Sequence, residues 1–421
     1  MTPVEPPEPR SKGAESSNGR SAAWFLAIMF LGYFAFTADR TVLSAMLQPL
    51  SSALGISKAV SFGIAQTAWL AAAQFMGVLA FVLVSGYLSD RYGHRRVILV
   101  GLAVFTAFTW LIGTAGNFQE AFVYRLLSGF GEGLFWPAAM SAVANYFGRN
   151  KGLALGIFYA GFDLGGAAGN TIGSVTFTIT SDWRTAFFVA PLLGIPVLAG
   201  VFASKRTFSE ATTKTGTLSI GKDALALLRK RRVSAIMAFA FLATWASVWQ
   251  VAYLPYYYRS VFDTSVAQSG LTAAAVLIAG MAGKTVFGRL SDSFRRDRLI
   301  VSLSLVVVGL YGIFFASSDL GLAIVVAVAA GFFSSAIFPV MQALASDSSE
   351  GRTGTALGLT TTFQSAAAVI GVLLPGALLP FGVRWAFALG AVIPAVAMAM
   401  ASVLLRESRA SANNTLGRNN L

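Results

Sequence analysis

The feature that most constrains this chain is a succession of apolar blocks, each too long for a soluble core. The first four are Ala22–Gln48, Ala65–Leu88, Val97–Ala115 and Phe118–Phe147. A helix needs roughly 20 residues to cross a hydrocarbon core about 30 Å thick, and every one of these blocks is long enough. Charged residues make up only 12% of the 421 positions, against 56% hydrophobic; soluble chains carry about a quarter charged. The blocks predict spans near 22–49, 65–88, 96–114, 118–147, 152–178, 184–204, 234–258, 266–291, 299–316, 320–345, 353–380 and 384–405. The expected fold is an all-α membrane protein of twelve transmembrane helices in two six-helix pseudo-repeats.

Charge fixes the expected orientation. With both termini cytoplasmic, the inner segments hold 24 of the 31 Lys and Arg residues. Four lie at the outer side (Lys58, Arg184, Arg259, Arg384) and three within spans (Arg40, Arg125, Lys284). That asymmetry is the positive-inside pattern. It accounts for the net charge of +13 as a topology signal, so no nucleic-acid partner is expected. The expected location is the inner cell membrane, crossed many times, with the lipid bilayer as surroundings and the monomer as working unit.

The chain has no cysteine and a single histidine, His94. This removes disulfides, thiolate sites and nearly all material for a catalytic triad or a metal site. No Gly-x-x-x-x-Gly-Lys-Ser/Thr loop is present, so ATP-driven transport has no support. The chain is read as a non-enzyme, with no metal and no cofactor beyond a proton gradient as energy source.

Residues 1–21, rich in Pro, Ser and Gly, read as a disordered cytoplasmic tail. The basic stretch Lys205–Arg232 is the long internal polar break. The expected organisation is a bundle over 22–204, a cytoplasmic linker over 205–233, a second bundle over 234–406 and a tail over 407–421. The bundles repeat in sequence. Gly86, Leu88, Ser89 and Asp90 recur 202 residues later as Gly288, Leu290, Ser291 and Asp292. At the same offset Gly129 matches Gly331, Pro137 matches Pro339, and Ala154-Leu155-Gly156 matches Ala356-Leu357-Gly358. Matches in three separate spans at one offset mark a duplication. Such halves place a substrate site at their interface, near mid-membrane.

The loop Gly86-Tyr-Leu-Ser-Asp90-Arg91-Tyr-Gly93-His94-Arg95-Arg96 resembles the signature of the major facilitator superfamily, with a weaker copy, GRLSDSFRR, in the second half. The resemblance covers about residues 22–406. The fourth span adds Arg125-Leu-Leu-Ser-Gly129-Phe-Gly131-Glu132-Gly133 and Phe135-Trp136-Pro137; the first adds Ala38-Asp39-Arg40. Together they resemble the anion:cation symporter branch, which includes sugar-acid and organic-anion carriers, and share features with spinster-like lipid carriers. Drug antiporters of the superfamily carry a Gly-Pro motif in the fifth span. Here Gly161, Asp163, Gly165, Gly166 and Gly169 occur without a proline.

Ionisable residues inside a membrane are costly and are functional candidates by default. There are six: Asp39, Arg40, Arg125, Glu132, Asp163 and Lys284. Arg40 and Arg125 fall at similar depths, roughly 12–15 Å from the outer ends of their spans at 1.5 Å per residue. Two arginines at one depth repel unless an anion or a carboxylate lies between them, and a guanidinium matches a carboxylate bidentately. Arg40 and Arg125 are therefore candidate anion ligands, and Glu132 and Asp39 candidate proton carriers. The competing reading is a purely structural network of the four charges. Tyr33, Trp69, Tyr159, Trp245, Trp249, Gln250 and Gln364 are candidate cavity residues. Asp90, Arg91, Arg95, Arg96 and Asp292 are candidate latch residues at helix ends. Asp163 and Lys284 are a candidate pair across the halves, closing the cytoplasmic side and breaking when it opens. Tyr256, Tyr257 and Tyr258 read as an interfacial belt.

The function read from these residues is proton-coupled symport of a small organic anion, a carboxylate or sugar acid, by alternating access. The alternatives are a proton antiporter exporting amphipathic compounds, a spinster-like lysolipid carrier, and a membrane sensor without transport.

Overall fold

The computed structural model describes residues 12–56, 59–61, 64–147, 151–204, 225–348 and 353–418. The first half comprises α1 (Lys12–Ala53), α2 (Gln66–Tyr92), α3 (His94–Ile112), α4 (Phe118–Phe147), α5 (Lys151–Thr180), α6 (Trp183–Val189) and α7 (Gly194–Ala203). The second comprises α8 (Arg231–Phe262), α9 (Val266–Ser293), α10 (Arg296–Ala316), α11 (Leu320–Asp347), α12 (Thr353–Leu378) and α13 (Val383–Arg418). Among the described residues nine helical segments are long and apolar enough to cross a membrane; α2, α4 and α5 are not among them. The last two carry Arg125, Glu132 and Asp163 in their middles.

Three boundaries differ from those read in the sequence. The backbone of α1 is already helical at Lys12, and α13 continues to Arg418. Extending a formed helix costs far less than nucleating one. The sixth span is broken: α6 and α7 are joined by a 3-10 turn, Ala190–Leu193. Pro191 has no N–H to give and its ring crowds the preceding turn. Most of the linker, residues 205–224, lies outside the described residues.

The two halves repeat their packing. α1 lies on α5, α2 on α4 and α3 on α4; in the second half α8 lies on α12, α9 on α11 and α10 on α11. The duplicated glycines make equivalent contacts. A Cβ on Gly129 would collide with the Gln74 carbonyl, and one on Gly331 would lie 2.6 Å from the Val276 carbonyl. Gln74 and Val276 are themselves 202 residues apart. Such close approach between helices needs small residues. The signature loop also acquires a physical reason. Gly93 caps α2 at φ +83°, and its N–H bonds to the Ser89 carbonyl at 2.9 Å. Its counterpart, Arg295, has φ −64° and needs no glycine.

Between the halves, α2 meets α12, α5 meets α9 and α1 meets α8. These contacts are lopsided along the membrane normal. On α5 and α9, a Cβ on Gly270 would strike Ser174 Oγ, and one on Gly166 would lie 2.8 Å from Leu277. The same antiparallel register, continued, puts Gly156 opposite Gly288, and neither would meet anything within 4 Å. α2 and α12 behave alike: Gly376 abuts Ala68, whereas Gly358 faces open space. The helix ends near 156, 288 and 358 are those that carry the basic loops. The halves are therefore shut at one end and parted at the basic end, roughly 27 Å away along α5 at 1.5 Å per residue.

Candidate functional site

Four mid-span charges of the first half, Asp39, Arg40, Arg125 and Glu132, gather on the closed side of the cleft. Asp39 and Arg40 are neighbours on α1, so they point about 100° apart around the helix axis. Arg40 reaches α4 and pairs with the Glu132 carboxylate. Glu132 is fully buried and also accepts from Gln74 Nε2 of α2. Three rings surround the guanidinium, Phe36 at 5.0 Å, Phe75 at 4.8 Å and Phe162 at 5.9 Å from its carbon to the ring centroids. Ring faces attract a desolvated cation, so Arg40 is held without being fully neutralised by hydrogen bonds; its Nε has no partner among the described residues.

Arg125 is used differently. It is 2% exposed. It donates through Nη2 to the Arg40 carbonyl at 2.9 Å and through Nη1 to the Asp39 carbonyl at 3.4 Å. Its fork therefore ties α4 to the backbone of α1. Asp39 is buried, and neither carboxylate oxygen has a hydrogen-bond donor among the described residues. Both arginines border one cavity of about 10 Å³, with Ser44 and Phe75 from the first half and Val251 and Ala252 of α8 from the second. That volume is on the order of one water. The two arginines do share a level; Glu132 pairs with Arg40 alone, and Arg125 bonds to the α1 backbone.

Lys284 of α9 reaches across the halves to Asp163 of α5, with Nζ 2.8 Å from both oxygens. Lys284 Nζ also lies 4.8 Å from the centroid of Phe162, the ring that Arg40 shares. A pair that closes the cytoplasmic side is expected to break when that side opens. In the structure the pair is made while the basic end is parted. It sits at the point where α5 and α9 diverge, on the closed side, because its residues lie about two turns toward the shut end from Gly156 and about one from Gly288.

The aromatic candidates divide. Tyr33 is buried and stacks on Phe158 at 4.6 Å with an angle of 8°. Tyr159 meets Tyr33 edge-on at 6.0 Å and donates its hydroxyl to Met140 Sδ at 3.1 Å. With half-buried Trp136 and Phe162 these form a wall on the basic-end side of Arg40. Trp245 is half-buried beside Phe241 and under Gly371 of α12. Trp69 is not at the cavity: its indole N–H bonds to the Ser61 carbonyl at 2.9 Å, in the short hairpin before α2. Trp249 is corrected too. It is 1% exposed among Tyr311, Phe314 and Phe315, inside the second half. α8 is apolar nearly all round, so periodicity could not orient it. Tyr257 and Tyr258 pack into that same core rather than forming a belt. Gln250 Oε1 accepts from Ser334 Oγ at 3.1 Å, and its Nε2 has no partner among the described residues. Gln364 is buried on α12.

Of the latch candidates, Asp90 and Asp292 lie outside the described side chains. Arg95 donates to the Val201 carbonyl at 3.1 Å and to that of Phe202. It thereby occupies the free carbonyls at the end of α7. Arg91 lies over Tyr92, and Arg96 is exposed. Sequence reasoning missed Gln74, Phe75 and Phe162. Gln74 had a signal: it is a mid-span polar residue whose duplicate, Val276, is apolar.

Two like-packed halves, parted at one end and enclosing buried ion pairs at mid-depth, define a membrane carrier. The profile of the Major Facilitator Superfamily matches residues 29–282 and 236–420, and the chain belongs to that family of transporters. It is 26% identical to the 3-(3-hydroxy-phenyl)propionate transporter of Escherichia coli K12, over 85% of this chain and 88% of that protein. It is 32% identical to a cephamycin export protein of Amycolatopsis lactamdurans, over 45% of this chain and 38% of that protein. A bacterial homologue of the human lysosomal transporter spinster, in an inward-facing occupied conformation, superimposes with a TM-score of 0.70 at 17% identity, covering 91% of this chain and 95% of that one. A D-xylose–proton symporter does so with 0.68 at 16% identity, covering 89% and 96%. The last two show the fold.

Proposed function

We propose that this chain is a twelve-span carrier of the inner cell membrane, with both termini cytoplasmic, that takes up a small organic anion together with a proton. The observation that carries the reading is the Arg40–Glu132–Gln74 arrangement. A carboxylate that occupies the anion-binding cation makes proton and anion mutually dependent. Protonating Glu132 removes the competitor, and an incoming carboxylate then takes the guanidinium. Loss of the proton on the cytoplasmic side lets Glu132 recapture Arg40 and expel the anion. Each ligand raises the affinity for the other by the same factor, as linkage requires. Arg125 positions the pair by holding the α1 backbone, and Asp39 is a second carboxyl able to carry the proton. The 3-(3-hydroxy-phenyl)propionate transporter, matched along most of its length, supports an organic acid as cargo. No cofactor takes part in this scheme.

Glu132→Gln tests it in proteoliposomes. The variant is expected to exchange anion across the membrane but to lose accumulation driven by a proton gradient. Normal accumulation by Glu132→Gln moves the coupling to Asp39. Normal accumulation by both Glu132→Gln and Asp39→Asn removes the symport reading.

A further inference from the structure

We propose that Lys284 is the second half's own ligand for the anion, and that Asp163 holds it in reserve as Glu132 holds Arg40. This rests on the anion reading above and adds a residue to its site. Lys284 is the one charged residue in the middle of a second-half span. Its exposure decides how it is presented. The Lys284 side chain is 19% exposed and that of Arg40 12%, whereas their carboxylate partners, Asp163 and Glu132, are 1% and 0% exposed. Both cations are thus partly open while their counter-charges are sealed; Arg40 takes its partner from its own half and Lys284 from across the cleft. An ammonium has three donors, and Asp163 occupies it from one side only.

The two cations also converge. Both lie over the Phe162 ring, so they are no further apart than the sum of their distances to it. Arg40 belongs to α1 and Lys284 to α9, so an anion entering from the parted end meets one cation from each half. A ligand bound to both ties α1 to α9, a link between the halves that the existing Lys284–Asp163 pair, from α9 to α5, does not make. That supplies a reason for the cleft to close over its cargo, since a ligand shifts a conformational equilibrium only by binding one state better. The half-buried rings of Trp136, Tyr159 and Phe162 beside this seat suit an acid with a flat apolar body.

The test uses the full chain in detergent, with 3-(3-hydroxyphenyl)propionate, benzoate and gluconate as probes and calorimetric titration as readout. Lys284→Met is expected to weaken binding of the best probe about tenfold, the loss of one charge-assisted contact. The double variant Asp163→Asn/Lys284→Met should stay equally weak. Asp163→Asn alone should bind more tightly than the native chain, because the internal competitor is gone. The chain has no cysteine, so Lys284→Cys carries a single thiol. Aminoethylation of that thiol, which restores the cation, should recover affinity; methylthiolation should not. A double variant that binds like the native chain makes Lys284 a strut for Asp163 and overturns the proposal, as does weakened binding in Asp163→Asn. A native chain that binds none of the three probes counts instead against the anion reading itself, and takes the Lys284 assignment with it.

Discussion

The two halves share a scaffold and differ in what they place on it. In the first, Gln74 of α2 holds Glu132 of α4, and Glu132 holds Arg40 of α1. At the positions 202 residues on stand Val276, Ser334 and Leu242. There the serine donates to Gln250, and no ion pair forms among these residues. The glycine contacts that seat α2 on α4 are nonetheless reproduced by α9 on α11. Helix packing is set by small residues and survives duplication. Buried charges cost several kcal/mol each unless paired, so the chemistry is concentrated in one half and the other supplies a wall and Lys284.

That contrast can be broken at matched positions. The largest effect is expected at Arg40. Arg40→Ala should weaken anion binding by ten- to a hundredfold, for the roughly 1.5–3 kcal/mol of a charge-assisted hydrogen bond. Leu242→Ala, its counterpart, should change binding less than twofold by the same titration, since it removes no charged contact. Equal losses at both positions would mean that Arg40 acts through packing rather than through its charge. Next comes coupling. Ser334→Ala should leave gradient-driven uptake intact where Glu132→Gln abolishes it, and a radiolabelled-substrate assay reads both.

A third comparison sets the shut end against the parted end. Gly270→Val collides with Ser174, whereas Gly156→Val enters open space. The first should favour opening of the non-basic end, seen as faster labelling of a thiol placed at Ala68; the second should leave that labelling unchanged. The smallest effect is at the signature turn. Gly93→Ala puts a Cβ at φ +83°, ψ 143°, a combination left almost entirely to glycine, and should cost about 1–3 kcal/mol, read as a lower melting temperature in detergent. At Arg295, whose φ is an ordinary −64°, Arg295→Gly should cost little more than Arg295→Ala, both losing the pair with Asp297 and neither relieving nor creating backbone strain.

Legibility in the sequence followed the physics of each feature. Membrane class, the duplication and the family could be read directly, because hydropathy over a whole span and a repeat at constant offset are sums over many residues. The six mid-span charges were also visible, each being an exception in an apolar block. Their pairings were less so. Glu132 lies seven residues from Arg125 on the same helix, yet it pairs with Arg40 of α1, and Arg125 bonds to backbone. The sequence does not tell the core positions of Trp249 and Tyr257 from cavity or belt positions, because α8 has no polar face to orient it. The break at Pro191 carried a plain signal, a proline inside the span.

By itself the sequence determined that this chain crosses a membrane many times, that its two parts descend from one unit, and that its reactive groups are few and buried. These follow from composition along the chain, which needs no knowledge of neighbours. Only the tertiary structure decided which charge meets which, that Lys284 and Arg40 share one ring, and that the halves part at the basic end while staying joined at the other. Those facts depend on how each helix is rotated about its axis and where two helices diverge. A uniformly apolar surface leaves rotation undetermined until the partners are in place, and a glycine reads the same in sequence whether it abuts another backbone or faces an open cleft.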